Sequence, residues 1–432
     1  MLDFIKRQSP ARIISLGFAL VILVGSVLLM LPCSVQDGVT VQYIDALYTS
    51  TSAVCVTGLV AVDAGDTFTP LGQFFLGGLI QIGGLGVTSV GAGVILAMGK
   101  KMRMKERRLV YEAMNLNSAQ GVVRFIKKVF WTTVFFEGLG AALSFTVFIR
   151  DYPFLKAVGI SLFHSVAAFN NSGFDILGNF QNLIPYRDSV MLNLVTCGLI
   201  FFGGIGFLVI QEMLAKRFCW RKFSMHAKVV LSVSAVLILV GTVLLRLTEP
   251  IGWMAAFFHS VSARTAGFST YPLSEFSQAG LLVLIVLMFI GASPGSTGGG
   301  IKTSTFFVLI QGIHSSATNR GEKAFRYSVP ADAFRKAAVI TLIALGVVLT
   351  GTYLVILFEP ELPFLDVLFE MVSAFGTVGL STGITPGLTV GSKLVTILIM
   401  YIGRLGPLTI ASLWYFSNGE RTRYPEGNIS IG

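Results

Sequence analysis

Charge is scarce in this chain: only 12% of its 432 residues are Asp, Glu, Lys or Arg, whereas 53% are hydrophobic. Soluble domains carry about 25% charged residues, so this composition excludes an ordinary soluble domain and places most of the chain in lipid. Cysteine is also scarce, since only Cys33, Cys55, Cys197 and Cys219 occur, and their spacing matches no metal site. We expect them to be unpaired packing residues.

Motifs of catalysis and nucleotide binding are missing as well. The apolar stretches contain neither paired aspartates nor an H-E-x-x-H zinc motif. The run from Gly295 to Gly300, followed by Lys302 and Thr303, imitates a phosphate-binding loop, but Ile301 interrupts the required Gly-Lys-Thr order. The sequence therefore predicts no enzyme and no cofactor in this chain.

Eight apolar stretches approach the roughly 20 residues that a membrane-spanning helix needs. The uncharged ones are residues 13–31, 71–99, 189–211, 229–245, 280–301 and 337–358. Residues 129–149 contain Glu137, and residues 394–418 contain Arg404. The first stretch is too long for a signal-peptide core and no A-x-A site follows it, so we expect a retained helix.

The net charge of +10 comes from basic clusters between these stretches. They lie within residues 6–12, 100–108, 216–228, 320–336 and 421–423, whereas the loops between them are acidic or nearly neutral. The positive-inside rule places every cluster, and hence both termini, in the cytoplasm. The basic surplus thus reflects topology, and we expect a lipid membrane rather than nucleic acid as the partner.

A fourfold repeat organises the chain. Each unit has a long helix, a short apolar segment, a glycine turn and a second helix. The predicted bounds are 8–105, 118–220, 224–318 and 332–418, followed by a tail at 419–432. The turns read SAVCVTGL, AAFNNSGF, SARTAGF and SAFGTVGL, and a second glycine signature follows in each unit, at Gly83, Gly203, Gly291 and Gly403.

Each unit crosses the membrane twice, so all four face the same way around an axis along the membrane normal. The predicted fold is an all-α integral membrane protein with four parallel M–P–M repeats (membrane helix, pore helix, membrane helix), hence eight transmembrane helices and four re-entrant pore loops around a central pore. Segments such as Tyr43–Val54 and Phe154–Phe169 are too short to span, and re-entrant backbone is tolerated only where it is buried or lines water. Gly86, Gly91 and Gly93 are expected to allow close helix packing.

The four turns predict a cation pathway. A cation sheds water only where fixed oxygens replace it, and glycine allows backbone carbonyls to converge. The candidate selectivity filter is Val56, Thr57, Gly58, Asn171, Ser172, Gly173, Thr265, Ala266, Gly267, Thr377, Val378 and Gly379, with a monovalent cation bound by carbonyls at the four glycines. No turn carries Thr-Val-Gly-Tyr-Gly, so a preference for potassium over sodium does not follow from the residues. Four ordinary re-entrant turns without ion binding remain the alternative.

These residues resemble the Trk/Ktr/HKT superfamily, and most of all the membrane subunit of a bacterial Ktr system. The resemblance rests on the loop glycines, the GGLG and GGIG helices, Arg404 within residues 402–407 and the ending Arg-Tyr-Pro-Glu-Gly at 423–427. It implies potassium uptake across the bacterial inner membrane, commonly stimulated by sodium, and a homodimer of pores. It further implies a cytosolic ring of RCK subunits that would bind ATP or ADP.

The third unit departs from the others because glycine and proline interrupt its second helix, at costs of about 1 and 3 kcal/mol. We expect this stretch to unwind below the filter, and the resemblance makes the segment 291–303 a gating loop. The predicted gate is Gly291, Ala292, Ser293, Pro294, Gly295, Ser296, Thr297, Gly298, Gly299, Gly300 and Arg404. Arg404 must find partners in the interior. We expect them to be Ser293, Ser296 and Thr297, with a purely structural brace as the alternative.

Four further polar residues fall within apolar sequence. Glu137 is a candidate for sodium or proton coupling, or a structural hydrogen-bonding group. His164 and His259 are expected to brace the short segments, and Asn170 to support the second turn. An alternating-access carrier for another cation or small solute remains the rival function.

Overall fold

The computed structural model describes residues 10–98, 102, 104–113, 121–319, 321, 323–325, 327–330, 332–406 and 409–410. The tail at 419–432 and both chain ends lie outside these residues, so the unit bounds stay predictions. The regular secondary structure of the described chain consists of helices and one antiparallel hairpin, in which Lys323 pairs with Ser328.

The helices follow one another in the same order four times. The first group is α1 (Pro10–Leu29), α2 (Tyr43–Val54), α3 (Ala64–Thr67), α4 (Pro70–Leu85), α5 (Val87–Ala97) and α6 (Met104–Ala113). The second is α7 (Val122–Phe148), α8 (Phe154–Phe169), α9 (Val190–Ile205) and α10 (Phe207–Ala215), with 3₁₀ turns at Ile184–Tyr186 and Trp220–Lys222.

The third group is α11 (Met225–Thr248), α12 (Trp253–Ser262), α13 (Gln278–Phe289) and α14 (Thr303–Thr318), with a 3₁₀ turn at Leu273–Glu275. The hairpin strands β1 (Lys323–Ala324) and β2 (Tyr327–Ser328) follow it. The fourth group is α15 (Ala333–Phe358), α16 (Phe364–Gly376) and α17 (Val390–Leu405), with a 3₁₀ turn at Thr385–Gly387. The short helices α2, α8, α12 and α16 are the predicted re-entrant segments.

Each second helix starts at a hydroxyl residue that caps it. The side-chain oxygens of Thr69, Ser189, Ser277 and Thr389 accept a hydrogen bond from the backbone N–H three residues later, at 3.1–3.5 Å. This bond satisfies one of the donors that a helix N-terminus leaves unpaired. The same local chemistry therefore sets the start of α4, α9, α13 and α17.

The second helices do not run straight, although the sequence predicts uninterrupted spans at 71–99 and 189–211. α4 and α5 meet at 101°, and α9 and α10 at 98°, because Gly86 and Gly206 between them have φ of +83° and +91°. By length and composition, four single helices of the described chain could cross a membrane, or six spans if each bent pair counts as one. The packing role predicted for Gly86 and Gly91 was wrong, since a Cβ there would meet no atom within 4 Å, whereas Gly93 does pack on Phe130.

The four groups close into a ring. α4 packs on α8, α9 on α12, α13 on α16, and α17 on α2, so every second helix contacts the short helix of the next group. The last of these contacts contains an ion pair, in which Lys393 Nζ lies 2.7 Å from Asp45 Oδ1. Both side chains are nearly buried, at 10% and 14% exposure.

Glycine lets each second helix approach the end of its own short helix. Cβ atoms at Gly83, Gly203 and Gly403 would lie only 2.2, 1.9 and 2.0 Å from the carbonyl oxygens of Val54, Phe169 and Phe375. Such a distance requires the backbone to move. The second glycine signature of the sequence is therefore a packing requirement in these three groups.

We expect Gly403→Ala to lower the free energy of unfolding by about 1–3 kcal/mol, because the added methyl group overpacks against the Phe375 backbone. Gly346→Ala is the matched control, since Gly346 also lies in a helix but has open space around it. Alanine there should be neutral or stabilising by about 0.5–1 kcal/mol. Thermal unfolding of the purified chain in detergent measures both, and equal midpoints would contradict the packing argument.

Candidate functional site

The loops after the four short helices share one backbone conformation. In each, the glycine and the residue two positions before it have positive φ, and the residue between them does not. The glycines are Gly58 (+88°), Gly173 (+71°), Gly267 (+75°) and Gly379 (+96°), and the preceding left-handed residues are Val56 (+51°), Asn171 (+57°), Thr265 (+72°) and Thr377 (+50°). Non-glycine residues rarely adopt this conformation, so its fourfold recurrence marks strained backbone held by its surroundings.

The four loops meet in a closed ring through contacts between glycine and carbonyl. A Cβ on Gly58 would lie 2.2 Å from the Ser172 oxygen, and one on Gly173 would lie 2.7 Å from the Ala266 oxygen. A Cβ on Gly267 would lie 2.4 Å from the Val378 oxygen, and one on Gly379 would lie 2.2 Å from the Thr57 oxygen. Only glycine fits at these positions, because a side chain would have neither the space nor the backbone geometry.

The carbonyl oxygens in these contacts are unpaired. Within the described part of the chain, no hydrogen bond is made to the carbonyls of Thr57, Ser172, Ala266 or Val378, and all four residues are fully buried. The hydroxyls of Thr57 and Ser172 also lack partners. Buried backbone acceptors are nearly always paired, so a ring of unpaired ones is suited to coordinating a dehydrated cation. The structure thus brings together all twelve predicted filter residues.

The loops are held in position by hydroxyls of their short helices. The N–H groups of Gly58 and Gly379 donate to Ser52 Oγ and Ser373 Oγ, both at 3.0 Å. The third loop is one residue shorter, and there the Ser262 hydroxyl instead donates to the Phe268 carbonyl. The second loop has Ala167 in the place of the serine. The ring is therefore fourfold in outline but not in its anchoring bonds.

On one side of the ring lies a cavity of about 430 Å³, which we call the vestibule. Gly58, Gly267 and Gly379 line its floor, and the carboxyl groups of Asp63 and Asp175 lie in its wall. Asp63 accepts the N–H groups of Gly65 and Phe180, so it ties the first loop region to the second. The vestibule therefore presents negative charge beside the ring.

On the other side of the ring the third group is unwound. α13 ends at Phe289 and α14 begins at Thr303, as the sequence predicts for this stretch. Ile290 and Ile301 form an isolated parallel bridge, so the two ends of the unwound segment lie side by side. We call residues 291–300 the crossing loop.

The crossing loop lies directly against the ring. The N–H of Gly299 donates to Thr377 Oγ1 at 2.9 Å, and a Cβ on Gly298 would lie 2.1 Å from Thr265 Oγ1. The Thr297 hydroxyl hydrogen bonds to the Gly203 carbonyl at 3.1 Å. In this conformation the loop covers the face of the ring opposite the vestibule.

Arg404 bonds the crossing loop to the first group. Its guanidinium donates to the carbonyl of Thr297 and to the carbonyls of Gly83 and Gly84. The prediction was right for Thr297 and wrong for Ser293 and Ser296. These serines turn inward, because Ser293 Oγ pairs with Thr303 Oγ1 at 2.9 Å and Ser296 Oγ donates to the Ser293 carbonyl at 2.6 Å.

A second basic side chain, not predicted from the sequence, lies at the crossing loop. Lys302 Nζ donates to the carbonyls of Gly298 and Gly299, at 2.7 and 3.3 Å. Together with Arg404 it lines a cavity of about 190 Å³ below the loop. Neither cation pairs with a carboxylate of the described chain. A lysine at the end of an uncharged apolar stretch was the available signal in the sequence.

The remaining polar residues lie behind the ring. His164 Nε2 hydrogen bonds to Thr196 Oγ1 at 2.9 Å, and His259 Nε2 to Ser269 Oγ at 3.2 Å, so both brace their short helices. Asn170 Nδ2 donates to Glu137 Oε1 at 3.0 Å. Among the described residues, no group of three or more His, Cys, Asp or Glu side chains is placed to hold a metal ion.

Comparisons with known proteins agree with this geometry. The chain matches the TrkH family, described as cation transport protein, over residues 12–249 and 229–416. It is 36% identical to Ktr system potassium uptake protein B of Bacillus subtilis, covering 99% of this chain and 97% of that protein. It is also 36% identical to the potassium/sodium uptake protein NtpJ of Enterococcus hirae, covering 99% and 98%.

The fold has a counterpart among solved structures. The crystal structure of the potassium transporter TrkH from Vibrio parahaemolyticus superposes with a TM-score of 0.75 at 18% identity, covering 95% of this chain and 86% of that one. The matched proteins are membrane transporters and not enzymes. The chain belongs to the TrkH family of cation transport proteins.

Proposed function

We propose that this chain takes up potassium across the bacterial inner membrane through the ring of four loops. The observation that carries the proposal is the set of unpaired, buried carbonyls at Thr57, Ser172, Ala266 and Val378. Fixed carbonyl oxygens can replace the hydration shell of a monovalent cation. The names of the two relatives, a potassium uptake protein and a potassium/sodium uptake protein, agree with this choice of ion.

In the proposed mechanism the vestibule faces outward and concentrates cations, because its carboxyl groups lower the local potential. A cation then loses water at the ring, where Gly58, Gly173, Gly267 and Gly379 hold the loops together. It leaves past the crossing loop once the loop moves. The protein supplies pre-organised oxygens, so the cost of dehydration is offset at a fixed site.

The crossing loop is proposed as the gate, with Arg404 as its latch. Thr297 of the loop bonds to Arg404 of α17 and to Gly203 of α9, so opening breaks bonds to two elements. Two positive charges at Arg404 and Lys302 also oppose cation occupancy of the closed path. Bonds that must break together favour two discrete positions of the loop over gradual widening.

Sodium as activator, a homodimer and a cytosolic nucleotide-binding RCK ring complete the proposal. The name of the Enterococcus relative includes sodium, and the word system in the Bacillus name implies further subunits. The basic clusters, placed in the cytoplasm with both termini, would face such a ring. The rival alternating-access carrier would need units that rock against each other, whereas here each group packs on the next around a closed ring.

Replacing one ring glycine should remove ion preference. In Gly379→Ser the side chain would clash with the Thr57 carbonyl, and we expect the preference for potassium over sodium and lithium to fall about tenfold or more. Gly383→Ser is the matched control, since Gly383 also has positive φ (+100°) but no atom within 4 Å of its Cβ position. Potassium tracer uptake into proteoliposomes measures the preference. An unchanged preference in Gly379→Ser would sink the filter assignment.

Removing the latch should raise flux. In Arg404→Ala the crossing loop loses the bond between the Arg404 guanidinium and the Thr297 carbonyl. We expect potassium uptake without any partner subunit to increase about tenfold, and deletion of residues 292–299 should have the same effect. Arg246→Ala is the control, because Arg246 is an exposed helix-end arginine that stacks on Trp253. If Arg404→Ala lowers the melting temperature but leaves flux at the native level, Arg404 is a brace and not a latch.

Uptake at limiting potassium should depend on external pH through Asp175. The pKa of this carboxyl is raised to about 7, chiefly by loss of hydration at the vestibule wall and further by the charges of Asp63 and Asp66, while the hydrogen bond from the Leu177 N–H lowers it. Its negative charge is therefore present above pH 7 and lost below. We expect native uptake to rise about two- to tenfold from pH 6 to pH 8. Uptake by Asp175→Asn should not change with external pH. Uptake by Asp188→Asn, which alters an exposed carboxyl, should keep the native pH profile.

A further inference from the structure

A second cavity, of about 570 Å³, lies away from the ring between α4, α7 and α8. It opens on the outer surface of the helix bundle, where Phe74 is 73% and Leu162 is 53% exposed. Small-molecule sites measure about 300–1,000 Å³ and combine an apolar lining with a few polar groups. This cavity has that size and composition, and no step of the proposed conduction path uses it.

Glycines create the space. Cβ atoms at Gly78 and Gly159 would meet no atom within 4 Å, and one at Gly77 would only reach ordinary contact with Phe163 at 3.7 Å. These glycines are helical, so a larger side chain there is compatible with the backbone. The cavity can therefore be filled by substitution without displacing its walls.

Glu137 is the one ionisable residue in the lining. Its Oε1 accepts from Asn170 Nδ2 at 3.0 Å, and the Gln81 side chain also hydrogen bonds to it. No ion pair of the described chain includes Glu137. Glu137 is half-buried and lines the cavity, so its side chain can be reached from it. A carboxylate in lipid without a cation is costly, so a cationic ligand would be favoured here.

We propose that this cavity binds an apolar amine, with the ammonium group paired to Glu137 and the apolar body between Phe74 and Leu162. Glu137 lies near the middle of the 27-residue helix α7, deeper than the interface where phospholipid headgroups stay. The ligand is therefore an amphiphile with a small cationic head. Charge and depth together distinguish it from a lipid acyl chain, which would leave the carboxyl unpaired.

The test is equilibrium binding to the purified full chain in lipid nanodiscs, with labelled N,N-dimethyldodecylamine as the probe and 1-dodecanol as its neutral counterpart. We expect saturable amine binding that exceeds partition into empty nanodiscs. Gly159→Leu and, independently, Gly78→Leu should weaken it about tenfold or more by filling the cavity. Glu137→Gln should weaken amine binding by a similar factor while leaving dodecanol binding unchanged.

Gly346→Leu is the matched control, since it adds the same side chain at an exposed helical glycine with open space elsewhere, and binding should stay native. Amine binding that is unaffected by Glu137→Gln, or that survives both cavity-filling substitutions, would overturn the proposal. So would a native chain with no saturable component, as expected if an acyl chain or a second copy of the protein occupies the cavity. These readouts do not depend on transport.

Discussion

The structure depends on one contact made four times, in which a glycine of one loop lies against a backbone carbonyl of the next. Each loop follows a short helix, which sets the position of the loop. The end of that short helix packs against a glycine of the second helix, as Val54 does against Gly83. Close packing of this kind transmits displacement because interiors are dense and resist compression. The position of a single carbonyl is thus set by helices from two different groups.

Opposite charges lie on opposite sides of this ring. The vestibule has carboxyl groups, whereas the crossing loop is bonded by Arg404 and Lys302, and the ring between them has neutral oxygens without donors. In the proposed pathway a cation would be attracted by the vestibule, coordinated by the ring and repelled at the crossing loop. The two basic side chains bond to the unwound stretch of the third group, so the departure from fourfold symmetry and the proposed barrier are the same feature.

Much of this arrangement follows from the sequence, because glycine and short helices leave local signals. The four turns, the segments Tyr43–Val54 and Phe154–Phe169, and the unwinding after Phe289 were all predictable from glycine, proline and segment length. The bends at Gly86 and Gly206 were not, because a glycine that turns the chain and one that admits a neighbour look alike in sequence. The bonds from Arg404 to Gly83 and Gly84, and from Lys302 to Gly298, could not be predicted either, because they depend on tertiary distances that a sequence pattern does not give.

The pair of Asp45 and Lys393 has a consequence for how the protein is made. The two residues are 348 positions apart, yet their bond lies where the last group meets the first. During synthesis the early groups enter the membrane with α2 uncovered on the side that α17 later packs against. The ring closes only when the fourth group has been inserted, and until then Asp45 lacks the lysine that pairs with it. Chain completion is therefore itself the assembly step, and a ribosome that stops early leaves an open arc instead of a smaller closed ring.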